Sequence, residues 1–68
     1  METFKIKGEY IHLNQLIKAM GWVANGADAN TAIDNNLVKV NGEIETRKRN
    51  KIRADDKVAF DNKVVLVE

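Results

Sequence analysis

The spacing of apolar residues changes from helical to alternating near the middle of this chain, and that change most limits what it can fold into. Leu13, Leu16, Ile17 and Met20 recur at helical spacing, which predicts an amphipathic helix. From Val38 onward, apolar residues alternate with polar ones, as expected for strands with one buried face. A helical period followed by a strand period is typical of an α+β domain.

Capping and turn residues indicate where the two predicted helices end. Gly21 is placed to close the first helix in the left-handed conformation. Asn25 is a good N-cap for a second helix, and Asn35-Asn36 is expected to end it because asparagine tolerates a positive φ. The buried face of the second helix is expected to consist of small or branched residues, Ala29, Ala32 and Ile33.

The second half of the chain contains two predicted hairpins. Asn41-Gly42 matches a two-residue type I′ turn between strands at 38–40 and 43–46. A further turn at Ala54-Asp55-Asp56 leads to strands at 57–60 and 63–67, which Asp61-Asn62 joins tightly. Four strands therefore follow the helices.

A first strand is predicted at 3–7, ended by Gly8, so the expected order is βααββββ. This order predicts two N-terminal helices packed on a small antiparallel sheet. We expect residues 1–68 to form a single domain. The N-terminus alternates polar and apolar residues and lacks the apolar stretch of a secretory signal, so a cytoplasmic location is expected.

Positive charge is concentrated in one short part of the chain. Between Thr46 and Ala54 there are five basic and no acidic residues, whereas the remainder holds six basic and ten acidic residues, and the formal net charge is only +1. Concentrating like charge costs self-repulsion that scattering would avoid. The basic residues of this part of the chain, which indicate an anionic partner, are Arg47, Lys48, Arg49, Lys51 and Arg53.

The inventory of reactive side chains argues against an enzyme. The chain has neither serine nor cysteine, and His12 is its only histidine, so the common pairs of nucleophile and base cannot be assembled. Metal sites built on histidine or cysteine fail for the same reason. The four glycines stand singly and form no phosphate-binding loop. We therefore expect no catalytic activity, no cofactor and no metal.

Three interpretations of the basic residues stay open. The planar guanidinium group of arginine can donate two hydrogen bonds to phosphate, and a sheet that holds these residues in place would favour nucleic acid as the partner. The alternative is a protein-interaction module whose basic edge binds an acidic partner protein. Basic residues on an exposed strand also discourage aggregation, with no ligand at all.

Two aromatic residues could either pack in the core or stack on an unpaired base. Trp22 lies between a helix-ending glycine and Val23, which favours packing against the core. Stacking on an unpaired base is the alternative for Trp22. Tyr10 offers the same choice with less to decide it.

Residues 11–60 resemble the RNA-binding domain of the ribosomal protein S-four type, also called the alpha-L RNA-binding motif. The family's first helix opens with a pattern like Arg-Leu-Asp-Lys-x-Leu, matched here by residues 12–17, with His12 in the basic position. Its Val-x-Val-Asn-Gly element is met by residues 38–42. Its second helix usually starts Arg-Ser-x-Ala-Arg, where this chain has Gly26 and Asn30 instead of the two arginines.

Very small stand-alone bacterial members of the YbcJ type resemble the chain over nearly its full length, including residues 45–49 and 51–52. The resemblance implies binding of structured RNA, ribosomal or transfer RNA among the candidates, by the helical pair and the adjoining hairpin. The ribosome or another RNA–protein complex would be a natural setting. Because both helix-two arginines are absent, we expect the contact to move to Arg47, Lys48, Arg49, Lys51 and Arg53, with Lys18, Lys39 and His12 in support.

Overall fold

The computed structural model describes residues 1–68. Strands β1 and β2 come first, two helices follow, and five strands complete the chain. The bounds are β1 Glu2–Phe4, β2 Ile11–His12, α1 Leu13–Ala19, α2 Gly26–Asp34, β3 Val38–Val40, β4 Glu43–Ile44, β5 Lys51–Ile52, β6 Lys57–Phe60 and β7 Lys63–Val67.

The strands form two sheets. The larger has five strands in the order β1-β7-β6-β3-β4, and the smaller pairs β2 with β5. Strand β1 runs parallel to β7, and all other pairs are antiparallel. The predicted α+β class is confirmed, but the larger sheet is mixed and not wholly antiparallel. A parallel pair needs a long crossover, and here the rest of the domain separates β1 from β7.

The core lies between the two helices and one face of the larger sheet. It contains only apolar side chains, and each of its larger members contributes roughly 1.5–3 kcal/mol by leaving water. Its members are Leu13, Leu16, Ile17, Ala29, Ala32, Ile33, Val38, Ile52, Val58, Val65 and Val67. The predicted apolar faces of both helices are therefore confirmed. Neither helix is long and apolar enough to cross a membrane.

Backbone conformations confirm the predicted turns and helix ends. Asn41 and Gly42 have φ values of 53° and 89°, as a type I′ turn requires. Positive φ also occurs at Asp61, between the paired residues Phe60 and Lys63. The remaining predicted turns and helix ends have positive φ at Gly21, Asn36 and Asp55.

Several elements end earlier than predicted. Strand β1 stops at Phe4 and β4 stops at Ile44, although single hydrogen bonds continue each pairing, from the Ile6 N–H to the Glu68 carbonyl and from the Glu45 N–H to the Val38 carbonyl. Beyond Glu45 the chain leaves the larger sheet and crosses to α1. This departure creates the β2–β5 pair, which the sequence analysis did not predict.

Candidate nucleic-acid interface

The basic segment, defined as residues 47–53, lies across the N-terminal end of α1. The backbone N–H of Leu13 donates to the carbonyl of Asn50 at 2.9 Å, and that of Asn14 donates to the carbonyl of Lys48 at 3.0 Å. Two of the N–H groups that a helix start leaves without an intrahelical partner are thus satisfied by a distant part of the chain. The basic segment is held by α1, and not by the β3–β4 hairpin that precedes it in sequence.

A short strand pair anchors the middle of the basic segment. Ile52 pairs with Ile11, and Lys51 pairs with His12. Ile52 is fully buried, and because strand side chains alternate between faces, Lys51 and Arg53 on either side of it point outward. Both are exposed. One apolar residue therefore fixes two cations at the surface.

Glu45 organises the first turn of the basic segment. Its carboxylate accepts hydrogen bonds from the backbone N–H of Arg47 at 2.9 Å, from the Arg47 Nε at 3.0 Å, from the Arg47 Nη2 at 3.2 Å and from the Asn50 Nδ2 at 3.2 Å. The Glu45 side chain is only 14% exposed, whereas that of Arg47 is 74% exposed. The Arg47 side chain lowers the pKa of Glu45, although desolvation opposes this shift. An ionised Glu45 thus stabilises this turn. The backbone N–H of Asn50 closes the turn by donating to the Arg47 carbonyl.

The five cations of the basic segment fall into two groups. Arg47 is paired with Glu45, and the Nζ of Lys48 lies 3.2 Å from an Oδ2 of Asp34 at the end of α2. No carboxylate oxygen lies within 4.0 Å of the charged side-chain nitrogens of the other three cations. We call Arg49, Lys51 and Arg53 the unpaired cations.

A shallow depression of about 400 Å³ opens on the outer side of the basic segment. It is lined by Arg47, Arg49, Asn50 and Lys51, and no hydrophobic residue contributes to it. Guanidinium and ammonium groups around an open polar hollow are suited to a phosphate group. The depression offers no hydrophobic side chain to a small apolar ligand.

The predicted supporting residues occupy different surfaces. His12 precedes α1, is half-buried, and its ring centroid lies 5.5 Å from that of Tyr10. Lys18 is exposed on α1, and Lys39 lies between Val38 and Val40, so it points away from the helices. No hydrogen bond, ion pair or ring contact joins Lys18 or Lys39 to the basic segment, and their role stays a prediction.

Trp22 and Tyr10 have different surroundings in the structure. Trp22 packs against the core and stacks on Phe60 at a centroid distance of 6.3 Å, which confirms its predicted packing role. Tyr10 is exposed and lies beside the basic segment, with Lys51 Nζ 5.0 Å and Arg53 Cζ 5.7 Å from its ring centroid. No local sequence signal could have revealed this contact, since it joins residues far apart in the chain.

The helix-two face that lacks arginines is occupied by an amide pair. The Nδ2 of Asn14 on α1 donates to the Oδ1 of Asn30 on α2 at 3.0 Å. The Oδ1 of Asn14 is buried and accepts no hydrogen bond from the protein. In the family pattern these two positions carry an acid and an arginine, so this chain offers no cation from α2 at that point.

The sequence and the fold both match known proteins. The S4 domain family matches residues 4–68. YbcJ of Escherichia coli strain K12 is 46% identical over 61 residues, which cover 88% of this chain and 87% of YbcJ, and a YbcJ of Shigella flexneri gives the same values. The solution structure of Escherichia coli YbcJ, which reveals an alpha-L motif involved in RNA binding, has a TM-score of 0.75 and 44% identity. That match covers 98% of this chain and 86% of the other.

Proposed function

The chain belongs to the S4 domain family, and from this premise we propose that it is a non-catalytic protein that binds structured RNA mainly through the phosphate backbone. The observation that carries the proposal is the set of unpaired cations, Arg49, Lys51 and Arg53, held together on a segment fixed to α1. The likeness to Escherichia coli YbcJ, whose structure has an alpha-L motif involved in RNA binding, supports the choice of RNA over DNA. A cytoplasmic site of action goes with this proposal.

Side chains, and not the backbone of α1, would contact the phosphates. Helix N-termini often bind anions through their free N–H groups, but here the carbonyls of Lys48 and Asn50 already accept from the N–H groups of Asn14 and Leu13. The guanidinium and ammonium groups of the unpaired cations are exposed and can form charge-assisted hydrogen bonds with phosphate oxygens. They supply the available positive charge at this end of the helix.

Counterion release would drive the binding. Each phosphate neutralised by a protein cation releases condensed counterions, so affinity falls as salt rises. If the unpaired cations neutralise three phosphates, log K should fall against log salt with a slope of roughly −2 to −3. Arg47 and Lys48 would add less, because Glu45 and Asp34 already offset their charge.

Two double variants with the same net charge test the proposal. One removes an unpaired arginine and lysine, Arg49→Ala with Lys51→Ala, and the other removes the paired ones, Arg47→Ala with Lys48→Ala. Because both lose two positive charges, they weaken the long-range field alike, so a weaker affinity of the unpaired double variant reports direct contact of Arg49 or Lys51 with RNA. We expect the unpaired double variant to bind a labelled RNA stem-loop roughly 10-fold or more weakly than the paired one.

The salt dependence gives a second readout from the same titrations. The unpaired double variant should flatten the salt slope by about 2, since each lost phosphate contact removes about 1. The paired double variant should change it by less than about 1. Equal losses in both variants would contradict direct contact by the unpaired cations, and a wild-type protein that ignores RNA at low salt would contradict the function itself.

A further inference from the structure

We propose that Tyr10 and the apolar groove beside it form a site for one unpaired base of the RNA. This inference rests on the proposed function and narrows it to structured RNA with an unpaired nucleotide next to a stem. In a paired A-form stem the base faces are stacked inside the helix, so an aromatic side chain can reach only bases that are unpaired.

Tyr10 has the exposure and the neighbours that such a site needs. It is 39% exposed, and it is the only tyrosine in the chain. The Nζ of Lys51 and the Cζ of Arg53 lie 5.0 Å and 5.7 Å from its ring centroid, and the His12 ring is tilted beside it. The ring therefore sits directly next to two of the three unpaired cations.

The typical strengths of the two interactions favour a base over the cations as the partner of the Tyr10 ring. A cation over an exposed aromatic ring strengthens an interaction by a factor of about 2 to 5. Stacking of a base on an aromatic side chain is worth a factor of about 5 to 150. A base can therefore displace Lys51 or Arg53 from the ring face, and the released cation is then free to pair with the phosphate of that nucleotide.

Tyr10 also lines an apolar groove. It has a volume of about 260 Å³ and is lined by the apolar side chains of Phe4, Ile6 and Ile11 together with Tyr10. This volume lies below the range of roughly 300–1,000 Å³ that drug-sized ligands occupy, so the groove suits a single ring system. It is too small for a nucleotide cofactor.

Polar groups at the rim of the groove fit a nucleotide. Lys5 and Lys7 contribute to its lining, and so does Gln15. The two lysines form no ion pair, so their ammonium groups are available to phosphates that flank the bound base. The amide of Gln15 can donate to and accept from a base edge.

The test compares two RNA probes: a fully paired, blunt-ended RNA duplex, and the same duplex with a short adenine overhang that carries 2-aminopurine. We expect the wild-type protein to bind the overhang probe about 5- to 150-fold more tightly and to quench the 2-aminopurine fluorescence by stacking. Tyr10→Ala should abolish both the preference and the quenching. Tyr10→Phe keeps the aromatic face and should retain both within about twofold.

Two further variants separate stacking from a general loss of structure. Tyr10→Leu keeps an apolar side chain in the groove but removes the aromatic face, so it should fold normally and still lose the quenching. Lys63→Ala removes a cation that lies over a different ring, that of Phe60, at 5.9 Å. This matched control should leave the preference for the overhang unchanged.

The outcomes distinguish this inference from the proposed function. If the wild-type protein binds both probes equally, or if Tyr10→Leu and Tyr10→Ala quench as the wild type does, the base site is wrong while RNA binding stands. If the wild-type protein binds neither probe at low salt, the proposed function fails and the base site fails with it.

Discussion

The two helices of this protein begin in different ways. Helix α2 is capped by its own neighbour, because the Asn25 side chain accepts from the N–H of Asp28 at 2.9 Å. Helix α1 receives two carbonyls from the basic segment, those of Lys48 and Asn50. The start of α2 is thus a local event, whereas the start of α1 depends on residues far away in sequence.

This difference explains where the candidate interface lies. A helix start that is capped by an adjacent residue needs no contact with a distant segment. The Asn25 side chain accepts a hydrogen bond from α2 alone. The start of α1 requires the basic segment to lie across it, and the two hydrogen bonds that fix the segment there also hold Arg49, Lys51 and Arg53 beside that helix start. The basic segment therefore both caps the start of α1 and presents its cations at the surface.

The largest effect is expected from Ile52, the buried anchor of the basic segment. Ile52→Ala should lower the free energy of unfolding by about 2–5 kcal/mol through the cavity it leaves, and Ile52→Val by about 0.5–1.5 kcal/mol. In the folded Ile52→Val variant, amide hydrogen exchange at Leu13 and Asn14 should accelerate more than exchange at Asp28. Ile44→Ala, at a residue that is 54% exposed, is the matched control and should change stability by less than about 0.5 kcal/mol. Uniform acceleration at both helix starts would argue against a special link between β5 and α1.

A moderate effect is expected at the cap of α2. Asn25→Ala removes the acceptor of the Asp28 N–H and should cost about 1 kcal/mol of stability in urea unfolding. The corresponding change before α1, His12→Ala, should cost less than Asn25→Ala, below about 1 kcal/mol, although the His12 ring is half-buried. The hydrogen bond at that position runs from the His12 backbone N–H to the Gln15 side chain, and alanine retains the N–H. A larger loss at His12 than at Asn25 would reverse the contrast between the two helices.

The smallest effect is expected from the charge of Glu45. Its folded pKa is lowered, chiefly by the hydrogen bond from the Arg47 side chain, so the ionised form stabilises the folded state. This contribution is fully present above the ordinary glutamate pKa of about 4.3 and is lost as the pH falls through the lower folded pKa. Glu45→Gln should therefore cost less than about 1 kcal/mol at neutral pH, and its difference from the wild type should shrink in acid.

Urea unfolding across a pH series measures this contribution. The same Glu45→Gln substitution made in an Arg47→Ala background should show a weaker pH dependence, because the main cause of the lowered pKa is then absent. A pH dependence that is unchanged by the loss of Arg47 would assign the stabilisation to other partners of Glu45. The backbone N–H of Arg47 and the amide of Asn50 are those partners.

The sequence by itself determined the features that depend on a few adjacent residues. Helical spacing identified the buried face of α1, Asn25 identified the start of α2, and Asn41-Gly42 identified a type I′ turn, because capping and turn geometry are set by local backbone and side-chain chemistry. The concentration of basic residues at 47–53 was equally visible. These features were enough to predict the α+β class and to single out the basic residues as the candidate interface.

Only the tertiary structure decided which distant residues meet. It placed β1 parallel to β7, drew β5 against β2, paired Arg47 and Lys48 with carboxylates and left the other cations of the basic segment free. It also brought Tyr10 beside Lys51 and Arg53. The identity of a residue does not determine its tertiary partner, since the side chain of a lysine or a tyrosine can contact a carboxylate, a ring or water. The path of the backbone over the shared core selects the partner.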